Sequence, residues 1–457
     1  MTIESFLLKA QQQGRDLIDR GLDHHIRIAV TGLSGAGKTA FITSLIDHFK
    51  HAGELPVSFW EAASRGAITA VEFTPQPDWT IARFDYEQAV QALTQVQPCW
   101  PESTTQMSEI RLTVHLKRQS GLLKNIISSK RLVIDILDYP GEWLLDLPLL
   151  NLSYEQWSKQ QFELSQQASR QAEFKAWQSD CLPLPTAPNN ELIEHYIRTQ
   201  AARYREMLQS LRNQHGLYWL QPGRALLPGA YAQAPILDFF PWPEAQQQPQ
   251  SPVYQALSER FERYKKELVA PMYERHFRSF NRQVMMVDIL GAMARGPAAF
   301  ADLQQALQQL MPIFQYGKNH WLRRLFKPHI DRVAFVASKA DYLLPEQQQL
   351  VQQWLQQLVE QATVEQFEQE PFVREYFAMA SLRVTELGQN QQQQLLLRGF
   401  DGENWVQFYL ADLPDSIAQF EQALALPQLT PLPDVSKRPF AAIRMDQIIE
   451  FLTRDEV

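Results

Sequence analysis

Eight consecutive residues, Gly32-Leu33-Ser34-Gly35-Ala36-Gly37-Lys38-Thr39, have the types and spacing needed to cradle a polyphosphate. In a G-x-x-x-x-G-K-[ST] loop, glycines let successive backbone N–H groups turn inward around the phosphates. A helix starting behind them adds its partial positive charge. Lys38 is placed to reach the β- and γ-phosphates, and the Thr39 hydroxyl is placed to ligate Mg²⁺. Ser34, Gly35, Ala36, Gly37, Lys38, Thr39 and Ala40 are thus the expected phosphate-binding residues. The flanks supply the context the motif requires: a β-branched apolar run at 26–31 and a helical pattern at 40–50.

Further along, Asp138-Tyr139-Pro140-Gly141 is a D-x-x-G tetrad at the carboxyl end of an apolar strand, where doubly wound sheets place ligands. An Asp there holds Mg²⁺, commonly through water, and the Gly N–H senses the γ-phosphate. A second tetrad, Asp288-Ile289-Leu290-Gly291, follows a later strand, and the first is preferred because it ends the strand after a hairpin. The threonine completing the Mg²⁺ shell is expected just before that hairpin, where Thr104 and Thr105 both stand; Thr104 is preferred. Thr39, Thr104 and Asp138 form the expected metal set. Glu142 occupies the place where a water-orienting glutamine often stands, but a carboxylate beside a triphosphate is repelled. Slow turnover is therefore expected. Arg65, Arg83 and Arg111 are open candidates for a cationic finger, and Asp135 reads as a structural polar residue or a supporting one.

Base choice is read from Ser338-Lys339-Ala340-Asp341, which fits [NT]-K-x-D with Ser in first place. An Asp carboxylate accepts from guanine N1–H and the 2-amino group together, a donor pair that adenine lacks. Lys339 would lie along the base plane. Ala380-Ser381-Leu382, after the next strand, stands where a backbone N–H meets guanine O6. The alternative is an ordinary loop in which Ser338 and Asp341 serve as turn or cap residues. GTP or GDP with Mg²⁺ is the expected ligand.

The run Asp138-Tyr139-Pro140-Gly141-Glu142-Trp143-Leu144-Leu145-Asp146-Leu147-Pro148 resembles that of the YcjX family of bacterial GTPase-like proteins. So do Gln221-Pro222-Gly223-Arg224, Phe239-Phe240-Pro241-Trp242-Pro243 and Ile443-Arg444-Met445-Asp446. The resemblance spans nearly the whole chain. It implies a cytoplasmic, stress-associated P-loop protein of the GTPase class, often labelled a predicted ATPase.

The elements that must position these residues follow from hydrophobic periodicity. Strands are expected at 26–31, 110–117, 131–137, 283–290, 332–337 and, last, 376–380, the second and third pairing antiparallel. Helices are expected at 3–19, 154–177, 190–212, 254–280, 297–310 and 345–363. Residues 51–107 read as an irregular connection carrying short helices and a mobile segment over the phosphates. The fold class is α/β: a P-loop NTPase (GTPase-like), doubly wound and mostly parallel with one antiparallel hairpin strand. The nucleotide-binding domain would comprise 1–141 and 283–457, with a large, mainly helical domain inserted at 142–282.

The chain has 457 residues and a formal charge of −8, which gives no support to nucleic-acid binding. Hydrophobic residues at 45% supply substantial cores. Two cysteines, Cys99 and Cys181, fit a reducing compartment. No leader or spanning segment is read, so a cytoplasmic location is expected. The basic segments 316–329 and 260–282 and the amphipathic 3–19 leave peripheral contact with the inner face of the membrane open, beside an unknown protein partner. An ATPase with a chaperone-like or mechanical role, and a nucleotide-stabilised scaffold, are the alternatives.

Overall fold

The computed structural model describes residues 24–33, 35–54, 58–117, 129–181, 184–185, 189–243, 250–276, 279–314, 330–362, 372–410, 413–414, 416–433, 435 and 437–456. The expected helix at 3–19, Ser34 and the basic segment 316–329 lie outside them.

Alternation along the strands dictates a sheet covered on both faces. In β1 (His24–Gly32), Ile26, Ile28 and Val30 enter one buried cluster while Ala29 enters another. The same split recurs in β5 (Ser129–Asp138), β6 (Arg282–Val287) and β7 (Arg332–Ala337). Strands buried on two faces are nearly continuous in apolar residues, as parallel strands under helices must be. Among the described residues one sheet runs β2-β4-β5-β1-β6-β7-β8, with β3 (Ala82–Arg83) pairing beside β4. Here β2 is Ile68–Thr74, β4 is Ser108–Lys117 and β8 is Val373–Ala378. β4 is antiparallel to β5 in continuous register from Ser108 opposite Asp138 to Lys117 opposite Ser129. β1, β5, β6, β7 and β8 are mutually parallel. The fold is mixed α/β with a mostly parallel central sheet.

Helix Lys38–Lys50 and the C-terminal helix Met445–Thr453 cover one face. Helices Pro297–Phe314 and Pro345–Gln361 cover the other. Between β5 and β6 the chain is mainly helical: Tyr154–Leu164, Ala168–Ser179, Asn190–Asn213 and Pro252–Tyr264. Trp157, Tyr204 and Phe261 from this section belong to the same buried cluster as the sheet residues Ala29, Leu137 and Met285.

Several boundaries differ from the sequence expectation. The 154–177 pattern splits into two helices at residues 165–167. The strand expected at 283–290 ends at Val287, because Asp288 caps a short helix. The connection at 51–107 contains β2, β3 and helix Tyr86–Thr94. The strand expected to be last is followed by a three-stranded antiparallel sheet: β9 (Thr385–Gln389), β10 (Leu395–Phe400) and β11 (Trp405–Phe408). No helix among the described residues is long and apolar enough to cross a membrane.

Candidate nucleotide site

The phosphate loop leaves β1 at Gly32 and re-enters regular structure at Lys38. Gly35 (φ 81°) and Gly37 (φ 79°) both take the left-handed conformation that a side chain resists. Their backbone turns hold the loop open ahead of the helix start. Lys38 Nζ donates to the Gly32 carbonyl at 3.0 Å. Ala36 and Ala40 are buried beneath the loop, so their contribution is packing plus backbone N–H.

Beside the loop, three side chains from distant segments meet. Thr39 Oγ1 lies 3.3 Å from Thr104 Oγ1, and the Thr104 hydroxyl donates to Asp138 Oδ2. Thr39 also donates to the Glu102 carbonyl at 3.1 Å, which pins the approach to β4. Thr105 is exposed, and of the two threonines it is Thr104 that the fold brings to this cluster. Asp138 is fully buried, and burial pushes its carboxyl up to about 6, with the nearby Lys38 charge opposing the rise. Its Oδ1 has no hydrogen-bond partner among the described residues. Two hydroxyls and a carboxylate with an unused buried oxygen are the hard donor set Mg²⁺ takes.

Gly141 packs directly on the phosphate loop. A Cβ at this position would overlap the Gly32 carbonyl oxygen and lie 2.6 Å from its carbon, so only glycine fits. The following run, Gly141–Asn151, is a buried 3-10 helix held from the helical section. Glu142 is paired with Arg212 at 2.9 Å, which directs its carboxylate toward helix Asn190–Asn213. Trp143 Nε1 donates to the Leu227 carbonyl at 2.8 Å, and the Arg224 guanidinium sits 3.5 Å from the centre of its ring system. Asp146 accepts from the Gly223 and Arg224 N–H groups at 2.7 and 3.0 Å and from the Tyr264 hydroxyl.

Of the finger candidates, Arg111 is engaged with Asp135, which also accepts from His25 at 2.8 Å. Asp135 is therefore the hub of an ion-pair network within the sheet. Arg83 is exposed on β3, and Arg65 pairs with Glu61.

At the ends of β7 and β8, the second loop pair assembles. Ser338 N–H donates to Val287 O at 3.1 Å while its Oγ is buried without a partner among the described residues. Lys339 has a left-handed backbone (φ 65°) and donates to Asp288 Oδ2 at 2.6 Å. Asp341 is buried, accepts from Val384 N–H at 3.0 Å, and its carboxyl is pushed up by burial to about 6. That bond uses one of roughly four acceptor positions on the carboxylate. Ala380 exchanges backbone hydrogen bonds with Ile443 at 3.3 and 2.9 Å, so its N–H is engaged, and the next residues along the loop are Ser381 and Leu382. This isolated bridge to Ile443 is a contact that the sequence reading missed. Only the chain path through Ile443-Arg444 could have indicated it.

The YcjX-like family, DUF463, matches residues 26–457. The chain belongs to that family. A protein of Escherichia coli K12 named Ras-like GTPase YcjX is 37% identical to this YcjX-like chain, covering 96% of it and 98% of the relative. A Shewanella oneidensis protein of the same name is 38% identical, covering 75% of this chain and 74% of that one.

Proposed function

We propose that the chain is a guanine-nucleotide switch. It would bind GTP or GDP with Mg²⁺ and hydrolyse GTP slowly, the insertion 142–282 relaying the bound state to a protein partner. The observation that carries this reading is the meeting of Thr39, Thr104 and Asp138 beside the phosphate loop, at the carboxyl ends of β1 and β5. The names of the relatives support the nucleotide class. Family membership suggests a stress-associated role in the cytoplasm, and contact with the inner face of the membrane belongs to the same proposal.

In this reading the loop amides and Lys38 neutralise the phosphates, and Thr39, Thr104 and Asp138 hold Mg²⁺, which supplies charge stabilisation of the leaving phosphate. Gly141 N–H meets the γ-phosphate, and Asp341 selects guanine with a backbone N–H of Ser381 or Leu382 at O6. Slow turnover follows from Glu142, whose pairing with Arg212 leaves it poorly placed to orient a water. The competing ATPase reading draws on the bond from Val384 to Asp341, which suits a turn residue.

Fluorescent GDP and ADP binding in Mg²⁺ decides between them. GDP is expected to bind at least about tenfold more tightly, and Asp341→Ala to erase the preference, since the missing acceptor leaves the guanine donors unpaired. Equal binding of ADP would favour the ATPase. The charged Asp341 is the competent form, so its share of GDP affinity is present above about pH 6 and lost below it. Asp341→Asn should remove that part of the pH dependence.

The switch itself is tested at Trp143, two residues after Gly141 and bound to Leu227 and Arg224 of the helical section. A non-hydrolysable GTP analogue should change tryptophan emission relative to GDP, and Trp143→Phe should abolish most of that change. Identical spectra with the two nucleotides would argue against the switch.

A further inference from the structure

The second tetrad, Asp288-Ile289-Leu290-Gly291, enters the site described so far only through the bond from Lys339 to Asp288. Its first and last residues have a local explanation. Asp288 Oδ1 accepts from Gly291 N–H at 2.8 Å and caps helix Ile289–Ala294. A Cβ on Gly291 would lie 2.8 Å from Asp288 Oδ1 and 2.5 Å from its carboxyl carbon, so the folded-back carboxylate requires glycine there. The tetrad is thus a cap, and a cap needs only one neutral oxygen.

The other oxygen and the charge are spent elsewhere. Asp288 directly follows β6, which lies between β1, the strand feeding the phosphate loop, and β7, the strand feeding the base loop. Its Oδ2 accepts from Lys339 Nζ at 2.6 Å. The same oxygen stands 3.6 Å from where a Cβ of Gly35 would sit. One buried carboxylate therefore binds the base loop directly and lies beside the phosphate loop. Lys339 meets it from a left-handed backbone, a conformation that persists in a lysine only where surrounding contacts fix it. Its side chain is half-buried over a nearly fully buried Asp288.

We propose that Asp288 is a positioning residue for guanine nucleotide. By fixing Lys339 against the phosphate loop, it makes the base loop and the phosphate loop close on the nucleotide as one unit. The inference rests on the guanine-nucleotide reading above. Its consequence is kinetic: with the two loops tied, release requires both to open together. Asp288→Asn keeps the helix cap, because the amide oxygen still accepts from Gly291, and removes only the carboxylate charge with which Lys339 pairs.

The test is displacement of fluorescent GDP from the full chain in Mg²⁺, for wild type, Asp288→Asn, Lys339→Met and the double variant. Each single variant is expected to release GDP about tenfold faster, less than the ~30-fold or more of a fully buried charge pair because Lys339 is partly exposed. The double variant should be no faster than either single one. Competition by inorganic tripolyphosphate, which has no base, should stay within about twofold of wild type, whereas a general loosening of the phosphate loop would weaken it equally. Unchanged release in both single variants, additive effects, or a parallel loss of tripolyphosphate binding and melting temperature would overturn the proposal. Should Asp288→Asn fail to fold, Lys339→Met reads the same contact from its more exposed side, and wild-type release there overturns it. A wild type that binds no GDP sinks the nucleotide reading together with this one; a binding wild type with indifferent variants sinks this one alone.

Discussion

Gly141→Ala is expected to weaken GDP and GTP-analogue binding by about a hundredfold, although the backbone N–H that would meet the γ-phosphate is retained. The cause is steric. The new methyl would overlap the Gly32 carbonyl oxygen, lie 2.6 Å from the carbonyl carbon and approach Leu33 N to 3.2 Å. All three are backbone atoms, so no rotamer change relieves the clash, and the phosphate loop or residues 140–142 must move. Gly32 O is also the acceptor holding Lys38 at 3.0 Å, so the displaced group is the one that pre-positions the ammonium. A misplacement of about 1 Å in such a constellation costs around two orders of magnitude, and overpacking adds about 1–3 kcal/mol of lost stability. Titration with fluorescent GDP, paired with a melting curve, checks both. Gly53→Ala, where an added Cβ meets nothing within 4 Å, is the control. Wild-type affinity in Gly141→Ala would show that the loops are not in the contact described.

The extent to which this site is legible in the sequence follows from how local its causes are. The phosphate loop is a backbone constraint written in consecutive residues, and Gly35 and Gly37 carry the left-handed angles the motif implies. The parallel strands are legible because burial on both faces makes them apolar throughout. β2 is not, because it is an edge strand with little buried surface, and its pattern Ile68-Thr69-Ala70-Val71-Glu72-Phe73-Thr74 shows no clean inside face. The β9–β10 hairpin is hidden by its turn. Asn390 Oδ1 accepts from the N–H of Gln392 and Gln394, both at 2.9 Å, so an asparagine side chain organises what reads as a glutamine-rich loop. The two D-x-x-G tetrads are alike in sequence. They differ in what their glycines touch, Gly32 for one and the Asp288 carboxylate for the other, and that is a tertiary fact. Thr104 and Thr105 are separated by the same kind of information, as is the pairing of Glu142 with Arg212.

Asp146→Ala is expected to cost about 3 kcal/mol or more of folding stability and to uncouple Trp143 from the nucleotide. Asp146 is 1% exposed and accepts three hydrogen bonds, from Gly223 N, Arg224 N and Tyr264 Oη. Truncation strands three buried donors, each costing about 1–3 kcal/mol when unpaired. The same donors bind the 3-10 run after Gly141 to the helical section, joined by Gln221, whose side-chain amide donates to the Leu145 carbonyl. A cooperative unfolding curve in urea measures the first effect, and nucleotide-dependent tryptophan emission measures the second. The pH dependence adds an independent check. Burial raises the Asp146 carboxyl to about 6, above its ordinary 3.8, so the native state holds this proton more tightly than the unfolded chain does. Its contribution to stability is therefore fully present below about pH 4 and is lost as pH rises to about 6. Asp146→Asn cannot titrate, so wild type should lose stability relative to it across that interval, by an amount on the order of 1–3 kcal/mol. A difference that stays flat, or grows in favour of wild type as pH rises, would mean that the three donors hold the carboxylate charged. The Asp146 cluster would then be an anion site tuned by hydrogen bonding, with burial the weaker influence.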